Sequence, residues 1–99
     1  MNPAKVVRKH VKALTDLPNI GRAMAEDLRR LGIDDPAQLK GRDPYALYSD
    51  LCIVSGQRQD PCILDTFISI TRFMDGGEAL PWWAYTTERK AATQQRLDH

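Results

Sequence analysis

The sequence predicts an all-α domain, and three observations carry that expectation. Asp-Pro occurs three times, at Asp35-Pro36, Asp43-Pro44 and Asp60-Pro61. An Asp carboxylate accepts the orphan amides of a helix start, and Pro suits the first helical position because its missing N–H had no partner there anyway. Gly32, Gly41, Gly56 and Gly76 each follow an apolar-periodic stretch and read as helix stops. No stretch alternates apolar and polar residues as a half-buried strand does.

The elements follow in order. A first helix is expected over Pro3 to Thr15, with Val7, Val11 and Leu14 as its apolar stripe and Lys5, Arg8, Lys9 and Lys12 nearly opposite. A second is expected over Arg22 to Leu31, with Met24, Ala25, Leu28 and Leu31 inward. Leu17-Pro18-Asn19-Ile20-Gly21 between them is long enough only for a tight hairpin. A short third helix spans Pro36 to Lys40, where Asp35 and Gln38 have capping-box spacing. The fourth covers Pro44 to Val54, with Leu47, Leu51 and Val54 inward. The fifth covers Pro61 to about Met74. Its apolar residues surround most of the cylinder, leaving Asp65, Ser69 and Arg72 as a polar stripe, so it is expected to be central and most buried. Leu80-Pro81-Trp82-Trp83-Ala84-Tyr85 forms an aromatic segment. The polar tail 86–99 has few large apolar residues and reads as frayed helix or disordered chain. The domain is thus placed at 1–85: a first unit about 4–31, a connector 36–41 and a second unit about 44–75.

Length and composition bound the function. With 99 residues the chain makes one domain. A net charge of +1 and a pI of 7.8 exclude a basic, histone-like nucleic-acid binder, and two cysteines exclude a disulfide-stapled scaffold. The N-terminus shows no apolar run of signal-peptide length. The longest apolar stretch, Cys62 to Ile70, is broken by Asp65, Thr66 and Ser69, so no membrane partner is expected. The expected address is a reducing cytoplasm. The near-neutral total hides an uneven distribution. Residues 1–33 carry seven basic and three acidic side chains, and residues 34–65 carry three and six. Any contact with a polyanion is therefore expected to be one-sided, through the first unit.

The most specific signal is Leu17-Pro18-Asn19-Ile20-Gly21-Arg22-Ala23-Met24-Ala25-Glu26-Asp27-Leu28. It resembles the helix-hairpin-helix motif: apolar–Pro–Gly–apolar–Gly, then Ala four residues after the last Gly, then Leu three further. Ile20 plugs the hairpin into the core. Gly21 turns the backbone and frees the amides at the start of the next helix. Ala25 lets two helices cross closely, and Leu28 anchors the second. The resemblance implies that those amides bind a DNA phosphate and read no bases. Asn19, Ile20, Gly21, Arg22 and Ala23 are the candidate DNA-binding residues, with Arg22 adding charge. The motif's first glycine is Asn19 here, whose side chain is expected to tolerate the left-handed turn but to crowd an approaching phosphate.

A second, degraded copy is expected in helix four, the loop Ser55 to Asp60 and helix five, which makes the fold a tandem helix-hairpin-helix domain of about five helices. Gly56, Gln57 and Arg58 are its secondary DNA-binding candidates. The run Leu31-Gly32-Ile33, Leu39-Lys40-Gly41-Arg42-Asp43-Pro44, Leu47-Tyr48, Leu51-Cys52, Gly56, Asp60-Pro61-Cys62 and Trp82-Trp83 is similar to the small bacterial "pathogenicity locus" proteins. Some of these carry the label "mitomycin resistance protein". That resemblance covers about residues 13–84 and implies a link to DNA damage tolerance.

Other chemistry finds little support. Cys52 and Cys62 read as small buried residues, although Cys62 in a first turn is a candidate thiolate. Only His10 and His99 are available to join them around a metal, and no Cys-x-x-Cys spacing exists. Glu26-Asp27 and Asp34-Asp35 lack apolar surroundings that would tune an acid–base pair. No catalytic triad, phosphate-binding loop or dinucleotide fingerprint occurs. The expected function is a non-enzymatic module, without cofactor, metal or small-molecule substrate, that binds DNA backbone without sequence preference. The alternative is a protein–protein adaptor docking on a DNA-repair or nuclease partner, through the same hairpin or the Trp82-Trp83 region.

Overall fold

Leu14, Leu17 and Ile20 recur every third residue, and all three are at most 1% exposed. That period belongs to tight 3-10 turns, and it marks the first departure from expectation. The computed structural model describes residues 6–97, with side chains through Thr93. The expected helix over Pro3 to Thr15 is replaced by two 3-10 turns, Arg8–His10 and Leu14–Asp16, and its first residues, 3–5, lie outside the described ones. Val11 and Ala13 are extended, and the Asp16 carboxylate accepts from the amides of Lys12 and Ala13 at 3.1 and 2.9 Å. A side chain that captures backbone amides offers them an alternative to the helix. Val7, placed inward by helical spacing, is instead exposed.

The remaining elements are α1 (Arg22–Arg30), a 3-10 turn (Pro36–Leu39), α2 (Pro44–Ser55), α3 (Pro61–Met74), a 3-10 turn (Trp82–Tyr85) and α4 (Thr86–Leu97). The architecture is all-helical, with four α-helices and no strand among the described residues. All three Asp-Pro starts are real. Asp35, Asp43 and Asp60 accept from the amides of Ala37, Tyr45 and Cys62 at 2.8–2.9 Å. Gln38 completes the capping box at Asp35. Gly56 ends α2 in the left-handed conformation, φ 72°. The Gly56 amide then donates to Ile53 O and that of Gln57 to Cys52 O, the bond pattern that satisfies the last carbonyls of a helix.

Helix α3 is the axis of the molecule, and nine of its 14 residues are buried. One face, with Phe67, Ile70 and Phe73, meets Leu14, Leu17, Ile20, Ala25, Leu28, Ile33, Leu39, Leu47 and Leu51. The other, with Leu64 and Ile68, meets Tyr85. The polar stripe needs correcting: Asp65 and Ser69 are wholly buried and only Arg72 reaches solvent. The cause is the tail. Expected as frayed helix or disordered chain, it forms helix α4 over Thr86–Leu97, whose first turn docks on α3. Thr86 Oγ1 donates to Asp65 Oδ2 at 2.8 Å, and Arg89 Nε donates to Asp65 Oδ1 at 2.9 Å. Arg72 and Glu88 pair beside them. Val54, expected inward on α2, is 52% exposed. The radius of gyration, 12.9 Å, is that of a compact chain of this length, about 13 Å for 100 residues.

Candidate nucleic-acid interface

Two short hairpins lead into helices α1 and α3, the first from a 3-10 turn and the second from α2, and they end differently. In the first, Asn19 takes the left-handed conformation, φ 67°, in which the motif ordinarily has glycine. Its side chain is turned into the protein. Nδ2 donates to Ser69 Oγ at 2.9 Å and to the Leu80 carbonyl at 2.8 Å. Ser69 Oγ also donates to that carbonyl, at 3.2 Å. The expectation that Asn19 crowds an incoming phosphate is therefore corrected, because the amide ties the hairpin to α3 and to the segment entering the aromatic turn. Ile20 is a core residue with no exposed surface.

Gly21 precedes α1 in extended conformation and has no side chain to cap it. The ladder begins with the Ala25 amide on Gly21 O at 3.0 Å. The amides of Arg22, Ala23 and Met24 precede the ladder and receive no side-chain cap. No carboxylate lies in that first turn. The helix's own acids are engaged further along, Glu26 with Arg29 and Asp27 with Arg30. Gly21, Arg22 and Ala23 are exposed, and a Cβ built on Gly21 meets nothing within 4 Å. The positive end of α1 thus faces open space, with the Arg22 guanidinium in no ion pair among the described residues.

The second hairpin is closed. Gly56, Gln57 and Arg58, the secondary candidates, are exposed, but the Asp60 carboxylate sits on the first turn of α3. The Cys62 amide donating to it holds the Asp60 carboxyl below its ordinary range. Tyr48 donates its hydroxyl proton to the Gln59 carbonyl, and the Gln59 amide donates to Cys52 Sγ at 3.4 Å, so the loop is fastened to α2.

Several other candidates change meaning. Both cysteines are free and half-buried. Burial, with Asp60 beside it, pushes the Cys62 thiol up, which corrects the expectation that its first-turn position favours a thiolate. The basic stripe does not form. The Arg8 guanidinium lies 4.2 Å from the Phe73 ring centroid and donates to the carbonyls of Phe73 and Gly77 at the end of α3. Lys9 and Lys12 are exposed, and Lys5 lies outside the described residues. Among the described residues no cluster of three His, Cys, Asp or Glu side chains exists to hold a metal, and His99 lies outside them. No described helix is long and apolar enough to cross a membrane. Trp82 is half-buried. Trp83 is 62% exposed and packs edge-on against Trp82, with ring centroids 5.5 Å apart.

The pair that sequence reasoning missed is Asp65–Arg89. The signal was present. A carboxylate in the middle of an otherwise apolar helix demands a cation, and Tyr85, Arg89 and Thr93 recur every fourth residue, the spacing of one helix face.

The family model described as Pathogenicity locus (Cdd1) matches residues 7–91, which carries the similarity past Tyr85 and into α4. Over 77 residues the chain is 49% identical to the mitomycin resistance protein McrB of Streptomyces lavendulae, an alignment covering 78% of this chain and 73% of that protein. No solved structure matches the chain.

Proposed function

Because the chain belongs to the Pathogenicity locus family, we propose that it is a small non-enzymatic helix-hairpin-helix module acting in DNA damage tolerance. It binds the DNA backbone without sequence preference through the Asn19–Ala23 hairpin. The relative named for resistance to mitomycin supports the link to DNA damage. One observation supports the contact above all others: the exposed, uncapped start of α1, flanked by Arg22 and free of acidic side chains in its first turn. A phosphate oxygen placed there accepts from several amides and meets the positive end of the helix dipole. Asn19 and Ile20 hold the hairpin, while Gly21, Arg22 and Ala23 face the ligand. Two to four such contacts give weak binding, with log K against log salt of about −2 to −4.

A titration with duplex and branched DNA at low salt tests this reading, following the amides of residues 19–23 by NMR. Those amides shift saturably, and Arg22→Glu weakens binding several-fold. Silent amides, or an Arg22→Glu variant that binds as well as the parent, would reject it.

The adaptor reading is favoured by a different observation. Ile53 is 76% exposed beside Val54 at the end of α2, and Trp83 is exposed near the aromatic turn. These apolar side chains give a DNA-repair or nuclease partner surface to bury on docking. In that case Ile53→Ser or Trp83→Ser abolishes function in cells while leaving DNA titrations unchanged.

A further inference from the structure

A cleft lined by Tyr48, Arg58, Pro61, Leu64, Arg89 and Thr93 opens beside the second hairpin. Two arginines reach it from distant parts of the chain, Arg58 from the hairpin loop and Arg89 from α4. Arg89 offers Nε and Nη2 to the buried Asp65 carboxylate at 2.9 and 3.4 Å. Its Nη1, with two N–H groups, has no partner among the described residues. One edge of this guanidinium is therefore fixed and the other is left to donate. Arg58 lies beside the Tyr48 hydroxyl, whose proton already goes to Gln59 O and whose oxygen remains an acceptor. Thr93 adds a hydroxyl, and Pro61 and Leu64 give the cleft apolar walls.

Guanidinium groups beside a free hydroxyl donor, Thr93, match a phosphate oxyanion. The surroundings set the strength. Asp65 neutralises much of the charge of Arg89, and Asp60 lies within electrostatic reach of the same arginine. Recognition here comes from directed N–H groups more than from net charge, so the contact is weak. The start of α3, where a second hairpin would otherwise take a phosphate on its amides, is occupied by the Asp60 carboxylate. We infer that the Arg58–Arg89 cleft binds a phosphodiester of the same DNA, so that the second unit contacts DNA through arginine side chains and not through helix amides. This rests on the DNA-binding reading above.

The test uses the full chain, nitrogen-labelled, and follows the Arg58 and Arg89 Nε–H signals together with the amides of residues 19–23. A short duplex shifts both sets. Inorganic phosphate alone shifts the two arginine signals more than sodium chloride at equal ionic strength does. Arg58→Ala lowers the magnitude of the slope of log K against log salt by about 1, the share of one phosphate, while amides 19–23 still respond. Thr93→Glu sets a carboxylate in the cleft one turn from Arg89 while keeping both arginines and Asp65 in the chain, and it lowers the slope likewise. Should DNA move amides 19–23 while the arginine signals and both variants' slopes stay unchanged, the cleft inference falls and the DNA-binding reading stands. Equal shifts in phosphate and in chloride also overturn the cleft. Silent amides 19–23 reject the DNA-binding reading and this inference with it.

Discussion

The two hairpins solve the same local problem in opposite ways. Each must satisfy the orphan amides at a helix start. The second does so from within: Asp60 caps α3, and Tyr48 and Cys52 bind the Gln59 backbone. The first leaves the start of α1 without a side-chain cap and spends its polar contacts elsewhere, through Asn19 to Ser69 and Leu80. The difference shows what each region is organised around. A capped start adds stability and excludes an anion, whereas an uncapped start gives up a little stability and keeps room for one.

The largest expected effect lies behind the second hairpin. Arg89→Ala strands the buried Asp65 carboxylate and costs about 3–5 kcal/mol, read by chemical denaturation, with amide-exchange protection lost first in α4. Protection that persists in α4 would show that its docking does not depend on this pair. Next comes Ile20→Ala, which empties a fully buried site under the first hairpin and costs about 2–5 kcal/mol. Exposed Gln57 has no comparable anchor, so Gln57→Ala leaves the denaturation midpoint nearly unchanged.

Asn19→Gly restores the motif's usual residue and removes two side-chain hydrogen bonds, for a loss of about 1–2 kcal/mol. DNA affinity should hold, since the lost side chain faces inward. Affinity falling in step with stability would mean that the Asn19 tie itself shapes the site.

The pH dependence separates the two helix starts further. The folded Asp60 carboxyl titrates below its unfolded value, so its stabilisation is fully present above the unfolded value and is lost as pH falls through the folded one. Asp60→Asn should flatten the acid limb of a melting-temperature-against-pH curve, while Arg22→Gln leaves that limb as it is. A small stability effect carries the most functional information. Gly21→Asp gives α1 the cap that α3 already has, in a backbone conformation and open space that accept a side chain. A gain of only a few tenths of a kcal/mol is expected, together with loss of DNA binding. Retained binding would break the comparison at its root.

Much of this molecule is legible residue by residue. The three Asp-Pro starts, the Gly56 stop, the extents of α1, α2 and α3 and the burial of Ile20, Ala25 and Leu28 follow from local rules, because caps, stops and apolar period act over a few residues. The helix expected over Pro3 to Thr15 fails for an equally local reason that the period alone conceals: Asp16 takes the Lys12 and Ala13 amides that the helix needs. The reach of Asn19 to Leu80, the bond of Arg8 to the end of α3 and the clamp of Asp65 on Thr86 and Arg89 join residues 21 to 69 positions apart. Sequence alone determined the all-helical class and where its central helix begins and ends. Only the tertiary structure decided which polar side chains are spent inside and which helix start is left open, because a hydrogen-bond partner across the fold is chosen by packing and leaves no period in the chain.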